Sequence, residues 1–294
     1  MKEIVYLNGE LLPHSEAKVS IDDYGFLYGY ALFETMRAYG GKIFLLERHL
    51  ERLRASAGEI EIELTGIDFA RACYQVLEAN GLKNARLRLT VSRGEVDSFP
   101  GLGKKTEPTV LITARSYEGL PAQVYEKGYQ AIIASIPRCA LSPLSRLKTA
   151  NYLTSVLAKT EAVAAGFEEA LMLNERGKVA EGSISNVFLV QDDVLVTPPV
   201  ASGILPGITR QVVMELAREM MIKVNEREVT LEELARCDEA FLTNSVIEIM
   251  PLVGVQHQGR KITIGDGKPG LVTIKLMVAY REMVRRETGL GQSC

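Results

Sequence analysis

Tryptophan is absent from this chain of 294 residues, and histidine and cysteine are scarce. The three histidines (His14, His49 and His257) stand far apart, and none has a second ligand at the spacing of a zinc site. The four cysteines form no CxxC pair and no short disulfide framework; they are Cys73, Cys139, Cys237 and Cys294. We therefore expect no bound metal and no histidine-dependent hydrolase. Lysine, carboxylates, tyrosines and backbone amides must supply the chemistry.

An excess of one charge is also missing, because 34 basic residues stand against 37 acidic ones and the formal net charge is −3. This balance gives no electrostatic basis for binding nucleic acid or an anionic membrane. Apolar runs such as residues 110–114 and 131–136 are far too short to span a bilayer. The first residues carry charge and no long apolar stretch, so they do not resemble a secretory signal. We predict a cytoplasmic protein.

Hydrophobic residues make up 47% of the chain, enough for a sizeable core, and their spacing predicts an α+β fold. Asn8-Gly9 between two β-type runs indicates a hairpin. Residues 31–39 and 42–44 are typical of paired strands around Gly40-Gly41. Residues 46–57 and 67–80 have apolar side chains at helical spacing. Further strands are predicted over 86–92, 109–114 and 130–135, and a helix over 150–165.

Gly119 and Pro121 lie in a stretch without periodicity, which favours a linker. We predict a small N-terminal α+β domain over residues 1–118, a linker over 119–127 and a larger C-terminal domain over 128–294. Clefts between domains commonly bind small ligands, so we expect the active site there.

Lys148 follows a loop rich in proline and serine and precedes a predicted helix whose first residues carry no charge. Poor solvation lowers the pKa of a lysine and makes its amine a nucleophile that can form a Schiff base. By itself, a single lysine at such a place is more often an ordinary solvated side chain.

Two later segments would complement such a lysine. Glu181 opens the segment 181–188 and could place a carboxylate against a ring nitrogen, as pyridoxal phosphate requires. Pro206-Gly207 precedes a predicted helix, whose free N–H groups and the Thr209 hydroxyl suit a phosphate. Each segment alone also fits an ordinary turn or helix start.

Taken together and in order, these segments resemble the fold-type IV pyridoxal phosphate enzymes. That family comprises branched-chain aminotransferases, D-amino-acid aminotransferases and aminodeoxychorismate lyases. The resemblance covers nearly the whole chain and rests on residues 24–29, 33–37, 46–53, 146–153, 181–188, 205–210 and 241–251. It implies a two-domain enzyme, similar in fold to D-amino-acid aminotransferase, that forms a homodimer.

The resemblance also implies roles for single residues. Lys148 matches the Schiff-base lysine, which also moves the substrate proton, and Glu181 matches the partner of the pyridine nitrogen. Tyr152 matches the tyrosine beside the cofactor's phenolic oxygen. Four positions match the phosphate contacts: Arg48, Ile208, Thr209 and Ser245. The matches on the substrate side are Tyr28, Phe33, Thr35 and Arg88.

The choice among family members is divided. Arg88 and the segment around Lys148 resemble branched-chain aminotransferases, which transfer an amino group from an apolar amino acid to a 2-oxo acid such as 2-oxoglutarate. Thr35 stands where those enzymes usually have glycine and where the lyases have threonine. The D-amino-acid enzymes use an Arg-x-His carboxylate trap, which residues 93–100 do not contain. We favour the aminotransferase, with aminodeoxychorismate lyase as the first alternative and D-amino-acid aminotransferase as the second.

Overall fold

A computed structural model describes residues 3–95 and 107–289 and divides into two compact units. The first unit holds the described residues up to Glu118, the segment Leu147–Asn151 and the described residues from Val284 onward. The second holds Gly119–Arg146 and Tyr152–Met283. Most of the segment that lacks the carboxylate trap, residues 96–100, lies outside the described residues.

The first unit is built on a six-stranded antiparallel sheet. Its strands are β1 (Ile4–Leu7), β2 (Glu10–Pro13), β3 (Ala31–Tyr39), β4 (Lys42–Ile43), β5 (Ala85–Ser92) and β6 (Val110–Ser116), in the order β2-β1-β6-β5-β3-β4. The β1–β2 turn is the predicted hairpin, with Asn8 and Gly9 both at positive φ. The helices of this unit are α1 (Tyr24–Tyr28), α2 (Leu46–Glu59) and α3 (Phe69–Ala79).

The core of the first unit forms between the sheet and the apolar sides of α2 and α3. Leu50 and Leu53 of α2 and Val76 of α3 are fully buried in one cluster with Met36 of β3 and Leu87 of β5. Leu32, Met36 and Ala38 of β3 lie in this core. Because side chains alternate across a strand, the odd-numbered residues of β3 point to the other face of the sheet. That other face carries part of the candidate site.

A nine-stranded mixed sheet forms the second unit. Its strands are β7 (Tyr129–Ile133), β8 (Glu169–Leu173), β9 (Val179–Gly182), β10 (Asn186–Gln191), β11 (Val194–Thr197), β12 (Val224–Glu226), β13 (Glu239–Asn244), β14 (Glu248–His257) and β15 (Arg260–Thr263). The order is β12-β11-β10-β13-β14-β7-β8-β9, with β15 on β14. The helices are α4 (Ala122–Lys127), α5 (Leu153–Ala164), α6 (Ile208–Glu219), α7 (Leu231–Arg236) and α8 (Leu271–Thr288), the last of which belongs to this unit up to Met283. None of the helices in the described ranges is long and apolar enough to cross a membrane.

The predicted linker is wrong, because residues 119–127 belong to the second unit and contain helix α4. Tyr125 anchors that helix: its ring is buried in the core of the unit, and its hydroxyl donates to the carbonyl of Ile247 at 3.2 Å. The helix is too short for the periodicity of its sequence to show it.

The helix predicted from residue 150 begins later, at Leu153. The residues before it pair with β3, since the Ala150 N–H donates to the Ala31 carbonyl at 2.7 Å. For this reason Leu147–Asn151 clusters with the first unit, although the sequence places it in the predicted C-terminal domain.

Replacing Tyr125 distinguishes a packed helix from a linker. Tyr125→Ala removes a buried ring, so we expect the free energy of unfolding to fall by about 3 kcal/mol. Gln123→Ala, at an exposed position of the same helix, should change it by less than about 0.5 kcal/mol. Urea denaturation measures both; equal small effects would contradict the packing of α4.

Candidate active site

Lys148 is held by its backbone against strand β3. Its carbonyl accepts a hydrogen bond from the Phe33 N–H at 2.9 Å, and the neighbouring Thr149 forms a bridge with Leu32. The Lys148 Nζ lies 4.5 Å from the centroid of the Phe33 ring, within the range of a cation–π contact. The lysine is therefore positioned by a backbone pairing that does not depend on its own side chain.

Three predicted substrate residues share one face of the first sheet. Thr35 of β3 is directly opposite Arg88 of β5, and Phe33 is opposite Thr90. Directly opposed residues of antiparallel strands point to the same side. The Arg88 guanidinium stacks 3.8 Å from the Phe33 ring centroid, and its Nε donates to the Thr90 hydroxyl at 3.3 Å. The structure thus brings Phe33, Thr35 and Arg88 together with Lys148.

Glu34 points from β3 to the opposite face, where it meets helix α2. Its buried carboxylate accepts hydrogen bonds from His49 Nδ1 at 2.7 Å and from Arg52 at 2.8 and 2.6 Å. Burial raises the pKa of the Glu34 carboxyl, but the charge of Arg52 and the bond from His49 outweigh it and hold this pKa at about 2. Burial also lowers the pKa of His49, assisted by the charges of Arg52 and Lys148. His49 is therefore neutral at neutral pH.

The other two predicted residues of this unit lie on helices. Arg48 is half-buried on α2, one turn before Arg52, which places two guanidinium groups on neighbouring turns of one helix. Tyr28 lies on the short helix α1, with its ring edge-on to Tyr24 and 49% of its surface exposed. Tyr28 is thus separated in the chain from the β3 face by the turn at Gly29.

In the second unit, Glu181 lies at the end of β9 and is almost fully buried. One carboxylate oxygen pairs with the Arg138 guanidinium at 2.9 Å. The other accepts hydrogen bonds from the Leu205 N–H at 2.9 Å and from the Asn186 amide at 3.2 Å. A buried carboxylate with an arginine and two further donors is stabilised in its ionised form. It is therefore equipped to hold a cationic group such as a pyridinium nitrogen.

Tyr152 precedes helix α5, and its hydroxyl donates to the Ser183 carbonyl at 3.3 Å. Burial raises the pKa of this phenol to about 12, and the charges of Glu181 and Glu169 act in the same direction, whereas Arg138 lowers it. The hydroxyl is therefore protonated at neutral pH and can serve as a hydrogen-bond donor.

Ile208 and Thr209 form the first turn of helix α6 and are both buried. No side chain caps this helix: Gly207 occupies the N-cap position, and a Cβ added there would lie 2.1 Å from the Asn186 Oδ1. The helix start is thus packed closely against the same asparagine that contacts Glu181. Uncapped N–H groups at a helix N-terminus are a common site for phosphate.

Ser245 lies in the turn between β13 and β14. The Asn244 Oδ1 closes this turn by accepting from the N–H groups of Val246 and Ile247, each at 2.8 Å. The Asn244 amide nitrogen donates to the Ile184 carbonyl at 3.0 Å, which ties the turn to the segment between Glu181 and Asn186. The second unit therefore connects Glu181, Tyr152 and the Ser245 turn through one short segment.

The donor set of this unit fits pyridoxal phosphate. Thr243, opposite Asn186 in the β10–β13 ladder, is 1% exposed, and its hydroxyl has no hydrogen-bond partner among the described residues. Leaving a buried hydroxyl unpaired costs about 1–3 kcal/mol. A bound polar group on this face would satisfy it, beside a carboxylate suited to a pyridinium and a helix start suited to a phosphate. No group of three or more potential metal ligands occurs in the ranges that the structure describes.

Comparison with known proteins identifies the family. Residues 31–255 match the family model described as amino-transferase class IV. The chain belongs to the class IV aminotransferase family. This class IV aminotransferase is therefore an enzyme, and the predicted family and two-domain fold-type IV architecture are confirmed.

Curated relatives of this aminotransferase include three different activities, one of them the D-alanine aminotransferase of Bacillus licheniformis, which is 33% identical over 97% of this chain and 98% of that protein. The chain is 39% identical to the putative branched-chain-amino-acid aminotransferase of Methanocaldococcus jannaschii, over 97% of this chain and 98% of that protein. It is 34% identical to the aminodeoxychorismate lyase of Bacillus subtilis, over 96% and 95%.

The similar solved structures include branched-chain amino acid aminotransferases. The Escherichia coli branched-chain amino acid aminotransferase matches with a TM-score of 0.89 and 30% identity, over 100% of this chain and 98% of that chain. The branched-chain amino acid aminotransferase of Thermobaculum terrenum, solved in its PLP form, matches with a TM-score of 0.84 and 32% identity, over 98% and 97%.

Sequence reasoning missed several residues around the predicted ones. Arg138 pairs with Glu181, and its guanidinium also donates to the carbonyls of Gly203 and Ser145 at 3.0 and 2.8 Å. Asn186 and Arg52 lie inside the segments 181–188 and 46–53 that carry the family resemblance, but their sequence positions predict no role for them. Nothing in the sequence near Arg138 announces its partner, since Glu181 lies 43 positions further on.

The Glu34 network predicts a pH-dependent contribution to stability. A carboxyl pKa held below its ordinary value of 4.5 stabilises the fold above pH about 4.5, and this contribution is lost as the pH falls towards 2. Glu34→Gln should therefore lower the free energy of unfolding by about 2 kcal/mol at pH 7. The difference in the free energy of unfolding between variant and wild type, which is the gap to be measured, should narrow in acid. Glu51→Gln, exposed on the same helix, is the control. A gap that widens in acid would refute this account.

Proposed function

We propose that this enzyme binds pyridoxal 5′-phosphate and transfers an amino group from a branched-chain or similarly apolar amino acid to a 2-oxo acid such as 2-oxoglutarate. The observation that carries the proposal is the position of Lys148, which its backbone fixes beside the Phe33 ring on the sheet face that also bears Arg88. An aromatic ring beside the reacting amine suits an apolar side chain, and a guanidinium suits a carboxylate. The strong similarity to branched-chain aminotransferases supports this choice.

When bound, pyridoxal phosphate supplies an electron-withdrawing ring that stabilises negative charge at the substrate Cα. Lys148 would be the covalent anchor, and its amine would be the base that moves the proton at the substrate Cα. Glu181, whose carboxylate pairs with Arg138, would hold the proton on the ring nitrogen. The single O–H of Tyr152 donates to the Ser183 carbonyl in this structure and would turn to the phenolic oxygen of the bound cofactor. Its high pKa keeps that proton in place throughout the neutral range.

The phosphate would be held by the start of helix α6, through the N–H groups of Ile208 and Thr209 and the Thr209 hydroxyl. Ser245 adds a hydroxyl from the tied β13–β14 turn, and Arg48 adds a guanidinium from α2. On the substrate side, Phe33 and Tyr28 provide aromatic surface, and Arg88 holds an anionic group. This assignment uses every residue that the family resemblance implies except Thr35.

Thr35 is the specific observation that keeps the lyase reaction as a second candidate. Its half-buried side chain is directly opposite Arg88, on the face that carries Phe33. A hydroxyl at this place could relay a proton to a departing enolpyruvyl group, although it can equally well hydrogen-bond a neighbouring polar group. The similarity to an aminodeoxychorismate lyase makes the test necessary.

Two assays with the purified enzyme distinguish the candidates. We expect glutamate to form when L-leucine and 2-oxoglutarate are supplied, and no pyruvate to form from aminodeoxychorismate. A D-alanine and D-glutamate series tests the third family activity. Lys148→Ala removes both the anchor and the base, so it should reduce the turnover rate by more than a hundredfold. This variant serves as the inactive control in both assays. Pyruvate release without glutamate formation from any amino acid would overturn the transaminase proposal in favour of the lyase.

We also propose that the enzyme is a homodimer that uses helix α5 as part of its interface. The helix buries a narrow face of Ala158 and Ala162 on the second sheet. Four apolar side chains on its remaining surface are exposed by 47–68%: Leu153, Val156, Leu157 and Val163. Exposed apolar side chains at helical spacing are typical of a protein–protein contact, and two-fold pairing is the commonest closed assembly.

A charge on that surface should separate the subunits. We expect wild type to have the mass of a dimer in light scattering and Leu157→Glu to shift it towards the monomer, because an interface would bury the new charge without a partner. Met221→Glu, at an apolar position that is 91% exposed, should leave the dimer intact. A monomeric and active wild type would contradict the proposal.

A further inference from the structure

Glu169, the first residue of β8, is a buried carboxylate that the proposed reaction does not use. It is 1% exposed and accepts hydrogen bonds from the hydroxyls of Ser183 and Ser185, the latter at 2.9 Å, and from the Ala170 N–H at 2.9 Å. Within the described ranges no lysine, arginine or histidine forms an ion pair with it. Its charge is thus compensated by neutral donors only.

These bonds make Glu169 the centre of the turn 182–185. The Gly182 N–H donates to the Ser185 carbonyl at 2.6 Å, and the Ser183 N–H donates to the Ala170 carbonyl at 2.8 Å. A Cβ on Gly182 would lie 2.2 Å from the Ser185 hydroxyl and 3.1 Å from the Glu169 carboxylate. The turn is therefore closed tightly around this one carboxylate, and a glycine is required where the chain passes it.

The same turn places the groups assigned to the cofactor. Glu181 comes directly before it and Asn186 directly after it, and the Asn186 amide reaches back to the Glu181 carboxylate. Inside the turn, the Ser183 carbonyl accepts the bond from the Tyr152 hydroxyl. A change in the turn would therefore move Glu181, Asn186 and Tyr152 together.

Stability alone does not account for a carboxylate at this place. Taking an ion out of water costs free energy, and neutral hydroxyl donors compensate less well than an opposite charge. A well-packed apolar side chain of similar volume is often as stabilising as a buried ionic group. The benefit must lie in what the carboxylate fixes, namely the directions of two serine hydroxyls and hence the course of the turn.

We propose that Glu169 is a positioning residue that fixes the turn 182–185 and thereby orients the Glu181 carboxylate towards pyridoxal phosphate and holds Tyr152 in place beside it. This inference rests on the proposed function. It is supported by electrostatics, because the charge of Glu169 adds to burial and to Glu181 in raising the pKa of Tyr152, against Arg138. Glu169 thus helps to keep Tyr152 a donor.

The test compares Glu169→Gln with wild-type holoenzyme. Glutamine has the same shape, but its amide nitrogen cannot accept a hydrogen bond from a serine hydroxyl. We expect the visible circular dichroism of bound pyridoxal phosphate, relative to its absorbance, to change, because the ring loses its fixed partners. We expect the dissociation constant for the cofactor to rise about tenfold. This is the lower end of the loss of affinity seen at metal sites when a residue that orients a ligand is removed. The kcat should fall more than the KM changes.

Glu168→Gln is the matched control, since it removes the adjacent carboxylate, which accepts from the Gln130 N–H instead. The double variant Ser183→Ala/Ser185→Ala removes the same contacts from the other side. Adding Glu169→Gln to it should have little further effect, because one network is already broken. If Glu169→Gln does not fold, the double serine variant alone must show the altered circular dichroism and weaker cofactor binding.

Two results would overturn the inference. The first is a circular dichroism and a cofactor affinity like those of wild type in Glu169→Gln or in the double serine variant. The second is a loss of cofactor affinity in the combined variant that equals the sum of the losses in the two separate variants. Failure of the proposed function has a different signature. In that case wild type itself would bind no pyridoxal phosphate and give no amino transfer, whereas here only the variants depart from a wild type that does both.

Discussion

The backbone pairing between the Lys148 segment and strand β3 is the contact on which the first unit's part of the site depends. It turns a residue far along the chain into a neighbour of Phe33 through two main-chain hydrogen bonds. Main-chain bonds fix the lysine's position without using its amine. Strand alternation then uses β3 twice: Phe33 and Thr35 face the candidate site, and Glu34 faces α2.

The two faces of β3 are stabilised by different physics. On the helix side, Glu34 is fully buried and stays ionised because Arg52 supplies an opposite charge and His49 donates a hydrogen bond. On the site side, cationic groups lie over an aromatic ring, which leaves them able to meet an anionic substrate. The opposite face of the strand packs in the core of the first unit, and its edges pair with β4 and β5.

In the second unit, burial is the main reason that the pKa of the Tyr152 phenol is raised. The charges of Glu181 and Glu169 raise it further, and the charge of Arg138, which pairs with Glu181 at 2.9 Å, opposes them. The phenol therefore stays protonated at neutral pH. The relatives of this enzyme include transaminases and a lyase, since one fold can carry different activities.

The sequence by itself determined what is local: the hairpin at Asn8-Gly9, strand β3, helix α2 and the start of helix α6 follow from turn residues, periodicity and capping. Ordered motifs determined the family and the residues to consider at the site. Other features were decided only by tertiary packing. Strand β14 contains Pro251 in an unbroken apolar run, so no alternation indicates it. Likewise, packing of Tyr125 in the core holds the predicted linker as a helix. Arg138 pairs with Glu181, which lies 43 positions further along the chain, and Glu169 binds two serines that follow the next strand. These contacts join residues distant in the chain, and no pattern of neighbouring residues encodes them.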